Sequence, residues 1–492
     1  MSLRRILVAV TVVVGFLASV LASQHTRATT ATRFAVVPYA SRPYASHNTP
    51  VTTTWFCAGV PAADDTVGGQ IVIANPTDVA INGHITYMSS DPAVSAVVQT
   101  LVAPPRDKLT LDVKASISGP FIAAFVEIEG GEGMVEQRAT TPAGDAVTSC
   151  VTQTSPTWYF ADGWTAKNST EQLILSNPYD DKATVDIAFF TKNGVKRTPS
   201  AFQGYSVDPQ SVKVIDVGSS QLQDEQIIGI QVAATHGRLL TGRAQNYDGD
   251  GRVGFSLDLG VPSPSEQLWF VDGEKGDDVV EQYVLFNPTD EDAEATATVL
   301  GIPPTEGFVP PDPITVPSGN VVTFDTKNIV GLPDGPHSMV FASADAKSSL
   351  VIERVLSRTV NGVPVTSVVP SMTAEYAFAT RWYLPIGVDA ADDQAIVVYN
   401  PFASAATISV KAVGPGGEVA VPGMEAIELP GAGIKTIALN DPSVFGKIVV
   451  VDVTAGVYVE RRLPRGHDLE GLSVSWALPE CGPCSFSSPP SS

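Results

Sequence analysis

Four copies of one pattern run along this chain, and they decide what it can fold into. An aromatic pair opens each copy, at Trp55-Phe56, Trp158-Tyr159, Trp269-Phe270 and Trp382-Tyr383. An apolar stretch opened by a Gln (Gln70, Gln172, Gln282, Gln394) then ends on Asn-Pro, at Asn75-Pro76, Asn177-Pro178, Asn287-Pro288 and Asn400-Pro401. A proline turn follows at Pro104-Pro105, Pro209, Pro317 and Pro430, and each copy closes on a β-rich run carrying Arg138, Arg243, Arg354 or Arg461. Anchors that recur in fixed order at near-constant spacing mark tandem copies of one folding unit.

Within a copy the apolar period is two. Thr184-Val-Asp-Ile-Ala-Phe-Phe-Thr191 alternates and runs into Lys-Asn-Gly, a hairpin signal, and no stretch has a convincing helical period. Pro cannot donate to a sheet ladder, so each Asn-Pro ends its strand and starts a loop. The strand density and copy length predict an all-β chain of four tandem immunoglobulin-like β-sandwich modules. The expected organisation is 1–24 a signal peptide or membrane anchor, 25–51 a flexible stalk, four sandwich units at 52–155, 156–263, 264–373 and 374–480, and a tail at 481–492.

Arg4 and Arg5 precede the apolar run Ile6 to Ala22, which ends Val-Leu-Ala near a small-residue cleavage pattern. This predicts export, with the segment either removed or retained as an anchor in the plasma membrane. In an oxidising compartment the four cysteines admit three connectivities. Cys57 with Cys150 is favoured because they bracket one unit, and Cys481 with Cys484 by proximity. The net charge of −22 argues against nucleic acid as a partner, since phosphate binding needs clustered Lys and Arg.

Trp158-Tyr-Phe-Ala-Asp-Gly163, followed by Glu171-Gln-Leu-Ile-Leu-Ser-Asn-Pro178, resembles the repeat of an uncharacterised family of secreted actinobacterial proteins. The members of that family carry Trp-Tyr-Phe-Ala-Glu-Gly and a strand ending in Asn-Pro. The resemblance spans roughly 52–480 and implies an envelope location and Ig-like modules, with no assigned activity. Units 1 and 4 depart from it, with Trp-Phe-Cys-Ala-Gly and Trp-Tyr-Leu-Pro-Ile-Gly.

Candidate chemistry is sparse. Asn246-Tyr-Asp-Gly-Asp-Gly251 opens like a calcium loop, with Asn246, Asp248 and Asp250 as oxygen donors, but Leu257 stands where a bidentate acid belongs. The competing reading is a plain hairpin. Cys481-Gly-Pro-Cys484 has a redox spacing yet follows a strand, without the helix N-terminus that would lower a thiol pKa. Acid clusters such as Asp64-Asp65 and Asp277-Asp278 are spread over separate units, and no His, Ser and acid converge.

The repeated tryptophans (Trp55, Trp158, Trp269, Trp382), asparagines (Asn75, Asn177, Asn287, Asn400) and arginines therefore read as core anchors. Each Arg is expected to lie inward over its opening Trp, and Trp164 to be exposed in a loop. The expected function is a non-catalytic, exported cell-envelope protein without a cofactor, acting as spacer, scaffold or adhesion array. Its expected partners are envelope polysaccharide or another surface protein. The alternative is a carbohydrate-binding protein contacting envelope polysaccharide through Trp164, Tyr179 and Phe402.

Overall fold

The structure is a computed structural model that describes residues 43–46 and 52–481, apart from 131, 193, 303–305, 344–347, 375, 377–378, 390–393 and 467–468. The expected signal or anchor, most of the stalk, the tail and the Cys481–Cys484 pairing lie outside the described residues. The described chain is nearly all β, with short 3-10 turns and no α-helix among the described residues.

Repeat 1 sets the plan. Its eight strands are Thr53–Pro61, Gly68–Asn75, Ile81–Ser89, Val97–Ala103, Asp107–Asp112, Phe121–Ile128, Met134–Thr141 and Gly144–Ser149. They form two sheets, in orders 1-6-3-4 and 5-2-7-8, and the same order recurs through the other three repeats. The sandwich class is as the period-two pattern predicts, but the connectivity differs from the immunoglobulin order, which keeps ABED on one sheet and CFG on the other. Here the first strand pairs the sixth and the second pairs the seventh, the crossing of a double Greek key.

The Asn-Pro step has one geometry throughout. Asn177 is fully buried, and its Nδ2 donates to Asp181 O at 2.8 Å and to Val207 O at 3.2 Å, while its Oδ1 accepts from Tyr179 N. Asn75, Asn287 and Asn400 donate in the same way to Val79 and Ala103, Glu291 and Val316, and Ser404 and Pro430. Each amide thus ties the loop after the second strand to the end or exit of the fourth. The four Asn-Pro steps are one structural device, an Asx turn that also staples across the sandwich.

The repeats share their cores. Val185, Ile187 and Phe189 face the interior of repeat 2, whereas Ala188 and Phe190, on the other face of that strand, pack against Phe286 and Val321 of repeat 3. Ile174, Ala244 and Leu257 of repeat 2 join the core of repeat 1. Trp269 of repeat 3 stacks on Tyr399 and Tyr458 of repeat 4 at 6.1 and 5.1 Å between ring centroids. Ile386 and Leu463 of repeat 4 then pack on Val72 and Val147 of repeat 1. Every repeat has a covered face on each side, so the four close into a ring. The described residues belong to one compact unit. The eighth strands (Gly144–Ser149, Arg252–Leu259, Val363–Pro370, Leu472–Trp476) run beside one another in cyclic order, with a parallel bridge between Val253 and Val365.

Candidate functional site

The chemistry-bearing side chains gather where one repeat meets the next, and the seventh strand of each repeat places them. In these strands (Met134–Thr141, Leu240–Gly249, Val351–Val360, Tyr458–Pro464), neighbouring residues point to opposite faces. Arg243, Arg354 and Arg461 lie opposite Leu173, Tyr283 and Ile396 of the second strands, on the inner face. The residue before Arg354 and Arg461 is Glu353 and Glu460, which points outward to the preceding repeat.

That carboxylate reaches the arginine of the preceding repeat. Arg243 Nη1 lies 3.0 Å from Glu353, and Asp162 N donates to the same carboxylate at 2.7 Å. Arg354 makes a forked pair with Glu460 at 3.2 and 2.7 Å, and Val271 N donates at 2.7 Å. Arg461 makes the same fork with Glu136 of repeat 1 at 3.2 and 2.6 Å, joined by Ile386 N at 2.9 Å. In repeats 2 and 3 the donated N–H lies where the first strand loses register with the sixth, between Phe160 and Gly163 and between Phe270 and Gly273. The bulge leaves a backbone N–H unpaired, and the incoming carboxylate satisfies it. All three arginines are buried, so their forks need such partners.

The junction of repeats 1 and 2 lacks the pair. Gln137 takes the arginine's place, opposite Ile71, and accepts from Gly59 N at 3.2 Å. Gly242 takes the glutamate's place, and a Cβ there would stand 2.5 Å from that of Ala58. Arg138 is one residue out of register with the other three arginines and so points to the opposite face. It is part-exposed, with Asp145 at 2.6 Å and Asp389 of repeat 4 at 2.8 Å, and is not a core anchor. The other arginines lie inward, as expected, but their partners are acids of the next repeat. Arg243 stands over Phe160 at 5.2 Å, and Trp158 instead donates to Leu239 O at 2.9 Å. Trp55, Trp158 and Trp382 are buried, whereas Trp269 is half-buried at the junction with repeat 4.

Behind these pairs lies a second tier that the sequence reading missed. Glu171 and Glu281 are buried beneath Gly163 and Gly273, where any Cβ would come within 2.6 and 2.8 Å of a carboxylate oxygen. That close approach explains the Asp-Gly step after the opening aromatics. Burial pushes Glu281 up, but His337 at 2.7 Å and Arg354 outweigh it and hold the carboxyl below its ordinary value. Glu171 has no such histidine, and burial pushes it up to about 8 despite Arg243. Asp258 is likewise raised by burial, to about 6, against the pull of Arg243.

Three further expectations meet the structure here. Trp164 is buried rather than exposed, with the Arg252 guanidinium 3.8 Å above its ring and Asp162 holding that arginine at 2.7 Å. Asn246, Asp248 and Asp250 build a hairpin rather than a calcium loop. Asn246 and Asp248 pair with Phe255 and Val253, and Asp250 takes Gln226 at 3.2 Å and Lys167 at 3.8 Å. Among the described residues no group of His, Cys, Asp or Glu is arranged to hold a metal. Cys57 and Cys150 are joined, with S–S 1.95 Å, beside the bridge of Phe56 to Val151.

A family model described as a family of unknown function (DUF5719) matches residues 133–329 and 259–466. The chain belongs to this family. No curated protein matches. Among solved structures, the crystal structure of Thermotoga maritima 1070 is similar at 14% identity, covering 22% of this chain and 95% of that one, with a TM-score of 0.20. Family membership places a DUF5719 chain among proteins without an assigned activity, so its chemistry has to be read from the junctions.

Proposed function

We propose that this DUF5719 protein is an exported, non-catalytic scaffold of the cell envelope, one of the secreted actinobacterial proteins that its Trp-Tyr-Phe-Ala-Asp-Gly motif resembles. One observation carries the reading. The buried arginines at the junctions are spent on holding one repeat to the next, through to the pair of Arg461 with Glu136 that joins the last repeat to the first. Charges sealed in this way cannot meet a substrate, and a buried ion pair serves to specify which surfaces meet more than to add stability. The repeats at 52–155, 156–263, 264–373 and 374–480 are then modules of one rigid head, carried on the stalk and kept outside the membrane by the N-terminal segment. A scaffold suits this closed arrangement better than an extended spacer. The carbohydrate-binding alternative loses a main contact point, because Trp164 lies under Arg252.

Protease treatment of intact cells tests the reading. The head should fractionate with the envelope and be degraded by protease added from outside. Recovery of the protein in the cytoplasm, protected until lysis, would overturn it.

A further inference from the structure

The fourth strand of repeat 1, Val97–Ala103, is an edge strand, with a ladder to Ile81–Ser89 on one side and no strand on the other among the described residues. It reads Val-Val-Gln-Thr-Leu-Val-Ala, seven residues without a charge, a Pro or a Gly. Its outward face carries Val98 and Val102, 62% and 57% exposed, with exposed Thr100 between them. The row behind it, Asn82, His84 and Thr86, contains no acid, on a chain of net charge −22.

Long, neutral edges template pairing with another strand, and proteins usually blunt them. The other repeats do so at this position. Repeat 2 breaks the strand into Lys196–Arg197 and Tyr205–Val207 with a 3-10 turn between. Repeat 3 keeps three residues, Ile314–Val316, and repeat 4 has Gly417–Ala420 and Ile427–Leu429, with Glu418 and Glu428. Among the described residues, only the repeat 1 edge is left whole.

The strand also complements itself. Turned antiparallel about Thr100, it sets Val98 opposite Val102 of the partner subunit, Gln99 opposite Leu101 of the partner subunit, and Thr100 opposite Thr100 of the partner subunit. The exposed stripe Val-Thr-Val reads the same in both directions, which an isologous contact requires. β-Branched pairs across strands are favourable, and no like charges meet. We propose that a second copy of this chain docks here, with its two-fold axis at Thr100, so that two four-stranded sheets become one of eight strands. The inference stands apart from the scaffold reading, since an edge dimer would form whatever the head does.

Sedimentation velocity on the full chain tests it. The wild type should sediment as a dimer, and Thr100→Lys, which sets two ammonium groups face to face, as a monomer. Mixing Thr100→Lys with Thr100→Glu should restore a dimer, which only folded chains can do. Thr100→Cys gives a second readout: mild oxidation should link two copies, while Val195→Cys, exposed at 47% on another repeat, should not. A monomeric wild type, a Thr100→Lys dimer, or equal cross-linking of both cysteine variants would overturn the proposal. A dimer that survives Thr100→Lys would point to another surface or to the N-terminal apolar segment.

Discussion

Glu171 and Glu281 hold the same place in their repeats, yet they differ in charge state because of their neighbours. Glu281 has His337 and the Tyr283 hydroxyl, at 2.7 and 2.8 Å, and is held ionised. Glu171 instead shares its pocket with Asp162 and Glu353, whose charges raise it further. With its folded pKa at about 8 and an ordinary value of 4.5, the folded state keeps a proton that the unfolded state gives up. Folded protein therefore loses stability as pH rises from about 4.5 to about 8, where the loss levels off. Glu171→Gln removes that loss. Urea unfolding should show the variant and wild type alike near pH 4, with the variant gaining up to about 4 kcal/mol by pH 8. An equal pH dependence for both would show that Glu171 is ionised in the fold.

At the scale of elements, the seventh strand works as a two-sided connector. Its inner face offers an arginine to the repeat that follows, and its outer face sends a glutamate back to the repeat before. Alternation makes this available from two adjacent residues, as in Glu353-Arg354 and Glu460-Arg461. The bulged first strand is the matching element, because it supplies the N–H that the glutamate accepts. Arg354→Ala should cost about 3–5 kcal/mol, since it strands Glu460 in the interior. Adding Glu460→Gln should recover part of that loss, and a double-mutant cycle by urea unfolding measures it. Losses that simply add would mean the pair is not coupled. The recurrence of an arginine late in each copy was legible in the sequence, although its strand is the seventh and an eighth closes the repeat. That Arg138 is off register was not, because only the ladder fixes which of Gln137 and Arg138 faces inward.

For the whole molecule, ring closure changes what a repeat is. A module in a linear array needs a core of its own, whereas here each sandwich leaves apolar outer faces for its neighbours to cover. Repeat 2 alone would expose Ala188 and Phe190 and lose the Glu353 partner of Arg243. The full chain is expected to unfold in one cooperative transition by circular dichroism and calorimetry, and an excised 157–262 fragment to give no cooperative transition. Separate transitions for the repeats, or a stably folded fragment, would show that the junctions add little.

The sequence by itself determined the class of fold, the repeat and most of its anchors, Arg138 excepted. Period two, Asn-Pro punctuation and the turn residues are local signals, set by strand geometry and by the missing N–H of proline. It also singled out the Cys57–Cys150 bond, since two residues that bracket one sandwich come together when its edge strands meet. The partners of the buried charges were left to the tertiary structure. Glu136 and Arg461 are 325 residues apart, and nothing local to either marks the other. The same holds for Trp164, which reads as a loop residue until Arg252 folds over it. Sequence patterning reports which face of a strand is apolar, but a sheet covered on both faces by different repeats owes its second face to packing between units. That packing is decided by which surfaces fit and which charges must be neutralised once water is excluded.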